Sequence, residues 1–151
     1  MTASHYHELR AWRLAYAFKL AVYDLVLRSP LAADFTLRDQ LRDAAASAPS
    51  NISEGFARFD PVDFARLVKI AKASLVECQN HLQDAVDRGY ISGAVRDEHL
   101  ARANEALKEI GGLIAYLQSP EAKRNAERIR RARIEQREQR RQARRRTNED
   151  C

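Results

Sequence analysis

Ser47, Asn51 and Glu54 stand four and then three residues apart, so on a continuous helix they share one face, where Ser74 and Glu77 of a later helix could meet them. Hydroxyls, an amide and two carboxylates together can do one of two things. They can line a polar pocket, or they can form a hydrogen-bonded network that satisfies backbone carbonyls freed by Pro49 and fixes a helix or subunit contact. Glu54 with Glu77 could in principle act as a general acid and base, but no nucleophile-base pair or substrate-orienting group accompanies them. The expectation is a structural or interface motif made of Ser47, Pro49, Ser50, Asn51, Glu54, Gly55, Ser74 and Glu77, with no catalytic residue. The chain is therefore expected not to be an enzyme.

Cys78 and His81 lie three apart, but a zinc site needs about four ligands, and His5 with His7 adds only two near the terminus. No metal and no cofactor is expected. Gly111-Gly112 lacks the lysine and the serine or threonine of a phosphate-binding loop, and is read instead as a place of close helix approach.

The other chemistry is cationic. Residues 1 to 118 hold 14 Lys and Arg against 15 Asp and Glu, whereas residues 119 to 151 hold 12 against 6. The charge of the second segment resides in Lys123, Arg124, Arg128, Arg130, Arg131, Arg133, Arg137, Arg140, Arg141, Arg144, Arg145 and Arg146. Planar guanidinium forks contact phosphate well, so these arginines are the primary candidates for binding RNA or DNA. Glu127, Glu135 and Glu138 dilute the run, and the absence of aromatic residues means that base stacking is not encoded there. Arg58, Arg66, Lys69 and Lys72 make a smaller, secondary patch, for which a solvated face is the default reading and a nucleic-acid contact the alternative. An acidic protein partner for the basic arm is the competing reading.

These residues must be positioned by helices. Glycine and proline are scarce, no alternating β-branched run occurs, and 45% of the chain is hydrophobic, enough for one core. A first helix is predicted over 7–28, with Leu9, Trp12, Tyr16, Leu20, Tyr23 and Leu27 on one stripe and Leu14, Phe18, Ala21 and Leu25 on another. Two stripes imply burial on two sides, one of which could face another subunit. A second helix over 37–59, opened by Thr36, carries Leu41, Ala45, Ala48, Ile52, Phe56 and Phe59, with a kink or break expected between Ala45 and Pro49.

Asp60-Pro61 opens a third helix to about residue 88, whose seam is Phe64, Leu67, Ala71, Leu75, Cys78, Leu82 and Ala85, and Gly89 stops it. After Ser92-Gly93, a fourth helix to about residue 118 presents Leu100, Ala103, Leu107, Ile110, Ile114 and Leu117. The expected architecture is all-α: an up-down four-helix bundle over 1–118, and an arginine-rich arm over 119–151 that is either an exposed helix or partly disordered. Ionisable residues interrupt the first thirty positions, so no signal peptide or membrane span is expected, and with two cysteines and no disulfide framework a cytoplasmic protein is predicted.

Gln40-Leu41-Arg42 followed by the run Ser47-Ala48-Pro49-Ser50-Asn51-Ile52-Ser53-Glu54-Gly55-Phe56 resembles the signature of the bacterial four-helix-bundle proteins, also called the 23S ribosomal RNA intervening-sequence protein family. Leu9 with Trp12, then Phe64, Ala71, Ser74-Leu75, Glu77, Leu82, Ala85 and Gly89-Tyr90-Ile91 extend the resemblance over about residues 8 to 118. Asp43, Ala48 and Ala57 depart from the usual basic residue, larger aliphatic and glycine, and the arm lies outside the match. The resemblance implies a ring-like homopentamer. It also implies kinship with the accessory protein of diversity-generating retroelements, which partners a reverse transcriptase and binds nucleic acid. It speaks more strongly for fold than for function.

Overall fold

Short polar residues set where the helices start. Asp60 accepts hydrogen bonds from the amides of Val62 and Asp63, both at 2.9 Å, and Pro61 fills the first helical position, where its missing N–H costs nothing. Ser92 Oγ accepts from the Val95 amide at 3.2 Å, and Ser119 Oγ from the Ala122 amide at 3.2 Å. The computed structural model describes residues 3–58 and 60–149, and their side chains as far as residue 142. Over that range the chain is all-α, with α1 Arg10–Arg28, α2 Phe35–Arg58, α3 Pro61–Asp87, α4 Gly93–Leu117 and α5 Pro120–Glu149, and 3-10 turns at Tyr6–Glu8 and Pro30–Ala33.

Asp34, not Thr36, caps α2: its Oδ1 accepts from the Leu37 amide at 3.1 Å, while Thr36 lies exposed in the first turn. The side chain three residues before an orphan amide is the one that reaches it. Pro49 is buried within α2, and the helix continues across it without the expected break, although Ala45 loses its in-helix donor. Phe59 lies outside the described residues. Gly89 adopts φ 73°, the left-handed conformation that ends α3 after Asp87.

The four helices α1 to α4 form a closed ring of neighbours, with α1 and α3 each packed on both α2 and α4. The whole predicted seam of α3 is buried. On α1 the buried line is Ala11, Ala15, Phe18, Val22 and Val26, so the expected stripe of larger residues is displaced: Leu20 is 49% exposed and Leu27 77% exposed. Small side chains admit a neighbouring backbone that Tyr16 or Leu20 would hold off. On α4, His99, Ala106 and Leu113 enter the core beside Ala103, Ile110 and Leu117, whereas Leu100, Leu107 and Ile114 are half-buried.

Helix α5 follows different rules. Ala122 is buried and the Asn125 amide donates to the Tyr116 hydroxyl at 3.1 Å, but every residue from Glu127 to Gln142 is exposed. High helix propensity, rather than a buried face, accounts for its regularity. Among the described residues, no helix is long and apolar enough to cross a membrane.

Candidate functional site

The polar motif of α2 divides in two. Its inner part is a short chain across the α2–α3 contact: Ser47 Oγ lies 2.8 Å from Ser74 Oγ, and Asn51 Nδ2 donates to Ser47 Oγ at 3.0 Å and to the Ser47 carbonyl at 2.9 Å. Ser74 Oγ also donates to the Ile70 carbonyl at 3.0 Å. The Asn51 amide thus satisfies the Ser47 carbonyl, not the Ala45 carbonyl that Pro49 leaves without its usual donor. With Ser74 at 6% exposure, these bonds lie in a setting where an unmet polar group would be costly.

The carboxylates stay outside. Glu54 is exposed and ion-paired with Arg58 one turn on, and Glu77 is exposed with its Oε1 3.5 Å from His81 Nε2. Glu54 and Glu77 therefore do not join Ser47, Asn51 and Ser74, because both side chains leave the α2–α3 seam for solvent. Ser50 is also exposed, its carbonyl accepting from Ser53 Oγ at 2.8 Å. Gly55 packs closely against α3: a Cβ there would lie 2.4 Å from Phe64 Cδ2 and 3.3 Å from Leu67 Cβ. Only glycine lets this approach occur.

Cys78 belongs to the core, with Sγ 4.0 Å from the Leu41 carbonyl, and burial, helped by the Glu77 charge, pushes its thiol up to about 12. Thiolate chemistry is thus suppressed near neutral pH. No group of three or more metal-ligating side chains comes together among the described residues.

The secondary basic residues Arg66, Lys69 and Lys72 lie on the exposed side of α3. Arg58 is set apart from them: while paired with Glu54, it lines a groove of about 760 Å³ that is bounded on its other side by α5. Lys123, Arg130, Arg133 and Arg137 line the groove from α5, while Pro61, Val62, Ile129 and Ile134 contribute apolar surface. The hydrogen bond that Arg58 donates to Glu54 raises the Arg58 pKa above its already high ordinary value, so Arg58 keeps its charge. Arg124, Arg128, Arg131, Arg140 and Arg141 are exposed, and the side chains of Arg144, Arg145 and Arg146 lie outside the described residues.

The family model of the 23S rRNA-intervening sequence protein matches residues 7–112. The chain belongs to that family. A protein of unknown function from the S23 ribosomal protein family of Bacteroides thetaiotaomicron, with a crystal structure at 1.70 Å, resembles it in fold, with a TM-score of 0.59 at 18% sequence identity. The likeness covers 72% of this chain and 99% of that one. No curated protein matches. In this intervening-sequence protein the Ser47–Asn51–Ser74 chain and Gly55 lie inside the family match, whereas all of α5 lies beyond it.

Two polar positions escape a reading by periodicity. Asp34 caps α2 and also binds Arg88 and Tyr90, and His99 is buried with Nδ1 2.8 Å from the Val95 carbonyl. Asp34 carries a local signal, an acidic side chain three residues before Leu37, which the choice of Thr36 passed over. Its tie to Tyr90, 56 positions away, had no local signal.

Proposed function

We propose that this protein is a non-enzymatic, cytoplasmic scaffold that assembles with copies of itself and binds nucleic acid through basic residues. In this reading α1 to α4 form an up-down four-helix bundle that sets the assembly, a homopentamer, and α5 supplies sequence-independent phosphate contacts. The observation that carries it is α5 itself: a 30-residue helix with consecutive exposed arginines and no core of its own. A segment that buries almost nothing has little structural reason to hold so many like charges, whereas a polyanion gives it one. The exposed Tyr16, Leu20 and Leu27 of α1 support self-assembly, since apolar surface of this kind commonly marks an interface.

The test compares the full chain with a truncation after Gln118 by fluorescence anisotropy, on one RNA and one duplex DNA at two salt concentrations. The full chain is expected to bind with the logarithm of its affinity falling against log salt by about −5 on duplex and about −4 on single strands, if about six phosphates are met. The truncation should lose most of the affinity. Equal binding by both would move the site to Arg58, Arg66, Lys69 and Lys72. Failure of both to bind would favour the second reading, an acidic protein partner, for which the exposed Val62, Ile129 and Ile134 beside the arginines speak.

A further inference from the structure

The charges of α5 are unevenly distributed round its axis. At 100° per residue, Lys123, Arg130, Arg133 and Arg137 fall within one quadrant, and Arg140 and Arg141 continue it along the helix. Glu135 falls on the opposite side, in the same sector as Arg124, Arg128 and Arg131, and Glu127 and Glu138 lie between the two sides. One side of α5 is therefore mainly cationic, with Glu127 at its edge, while the other mixes signs at spacings that let the charges compensate.

The orientation of α5 gives this asymmetry a direction. The cationic side is the one that lines the groove against the first turn of α3, where Arg58, at the end of α2, joins Lys123, Arg130, Arg133 and Arg137. Five cations there face two acids, Asp60 and Glu127, with Glu54 bound to Arg58 as a third, so positive charge is in excess. Arg130 to Arg137 spans about 10 Å of helix, over which one strand of a nucleic acid offers about three phosphates.

We propose that the phosphate backbone of a nucleic acid lies in this groove, held between Arg58 of α2 and the Arg130–Arg133–Arg137 side of α5, and that Arg124, Arg128 and Arg131 contribute little. The inference rests on the nucleic-acid reading above and narrows it from a charged arm to one face of that arm acting with the helices beside it. The α5 side of the groove lies outside the family match.

Two triple variants of the full chain test it: Arg130→Gln/Arg133→Gln/Arg137→Gln and Arg124→Gln/Arg128→Gln/Arg131→Gln. They remove the same charge from different sides, at exposed positions where glutamine keeps the helix. Anisotropy of a fluorescein-labelled single-stranded RNA and of an RNA duplex of the same length is read at two salt concentrations, with circular dichroism confirming helix content. The groove-side triple is expected to weaken binding about tenfold or more and to make the salt slope shallower by about two units on the single strand. The opposite triple should change affinity by less than about threefold, and Arg58→Gln should weaken it severalfold. Equal losses in the two triples, or a larger loss in the second, would overturn the groove while leaving the nucleic-acid reading intact. No binding of either RNA by the unaltered chain, together with binding of a labelled acidic amphipathic peptide, would overturn both.

Discussion

Asp34 Oδ2 accepts a hydrogen bond from the Tyr90 hydroxyl at 3.1 Å and an ion pair from Arg88 Nη1 at 3.0 Å, while Oδ1 of the same carboxylate holds the Leu37 amide at 3.1 Å. One side chain thus caps α2 and fastens its start to the turn that follows α3. The Leu37 amide first, then Tyr90 and Arg88, hold the Asp34 carboxyl below its ordinary value, against an opposing effect of burial. A carboxyl with a lowered folded-state pKa contributes stability that is complete above its unfolded value, near 4, and is lost as pH falls through the lower folded one. Melting temperature should therefore fall more steeply below about pH 4 in the natural chain than in Asp34→Asn, which keeps a cap but has no charge to lose. Parallel acid profiles for the two proteins would refute this role.

Tight approach at Gly55 makes a second prediction. Gly55→Ala puts a methyl group 2.4 Å from the Phe64 ring, so the ring or the helices must move. A loss of about 1 to 3 kcal/mol is expected from urea unfolding. An unchanged midpoint would mean that the α2–α3 contact has slack to spare.

Within the polar motif, position should matter more than residue type. Asn51→Ala removes a donor to both the carbonyl and the hydroxyl of Ser47 and should cost roughly 1 kcal/mol, whereas Glu54→Ala removes an exposed ion pair and should stay within about 0.5 kcal/mol. A double-mutant cycle of Ser47→Ala with Ser74→Ala should return a coupling of about 0.5 to 1.5 kcal/mol. If Glu54 proves the costlier of the two, its carboxylate has a partner in the assembled protein.

Cys78 is expected to be inert. In a Cys151→Ser background, reaction with a thiol reagent at neutral pH should be slow in the folded protein and fast in denaturant, because the thiol is buried and its pKa is pushed up to about 12. Rapid labelling without denaturant would show that the core opens at α3.

Self-assembly through α1 is tested by Leu20→Lys with Leu27→Lys, which place charge on surface that is already exposed in one copy. Light scattering should find the unaltered chain oligomeric and the variant dissociated, with helix content kept. A clean monomer for the unaltered chain at micromolar concentration would end the oligomer reading.

The first four helices and most of their ends were legible from punctuation, since Asp60-Pro61, Gly89, Ser92 and Ser119-Pro120 all act locally, whereas sequence leaves the arm open between helix and disorder, and it is the fifth helix, α5. The seam of α3 was equally plain, because its residues recur at spacings of three and four, although Val62, Ile70 and Val76 stay exposed elsewhere on the helix. On α1 apolar residues surround most of the axis, and periodicity weighted by size chose Tyr16 and Leu20 over Ala11 and Ala15. Which stripe faces inward depends on how near the neighbouring helices come, which is a tertiary quantity. The same limit governed the polar motif, where spacing put Glu54 on the face of Ser47 and Asn51, but the small angular differences between them decide which reach Ser74. The groove at α5 required knowing which side of an all-polar helix turns to the rest of the chain.

From Glu127 to Gln142 every residue of α5 is exposed and only the side along the groove has a neighbour, so its backbone hydrogen bonds are sheltered mainly by their own side chains. Such a helix opens by local fraying rather than with the rest of the molecule, and its amides will exchange with deuterated solvent in a fraction of the time needed by those of α3, which wait on global unfolding. The arm is thus a built-in reporter of occupancy: whatever it holds, slowed exchange confined to these residues will register the contact even where the remainder of the fold does not change.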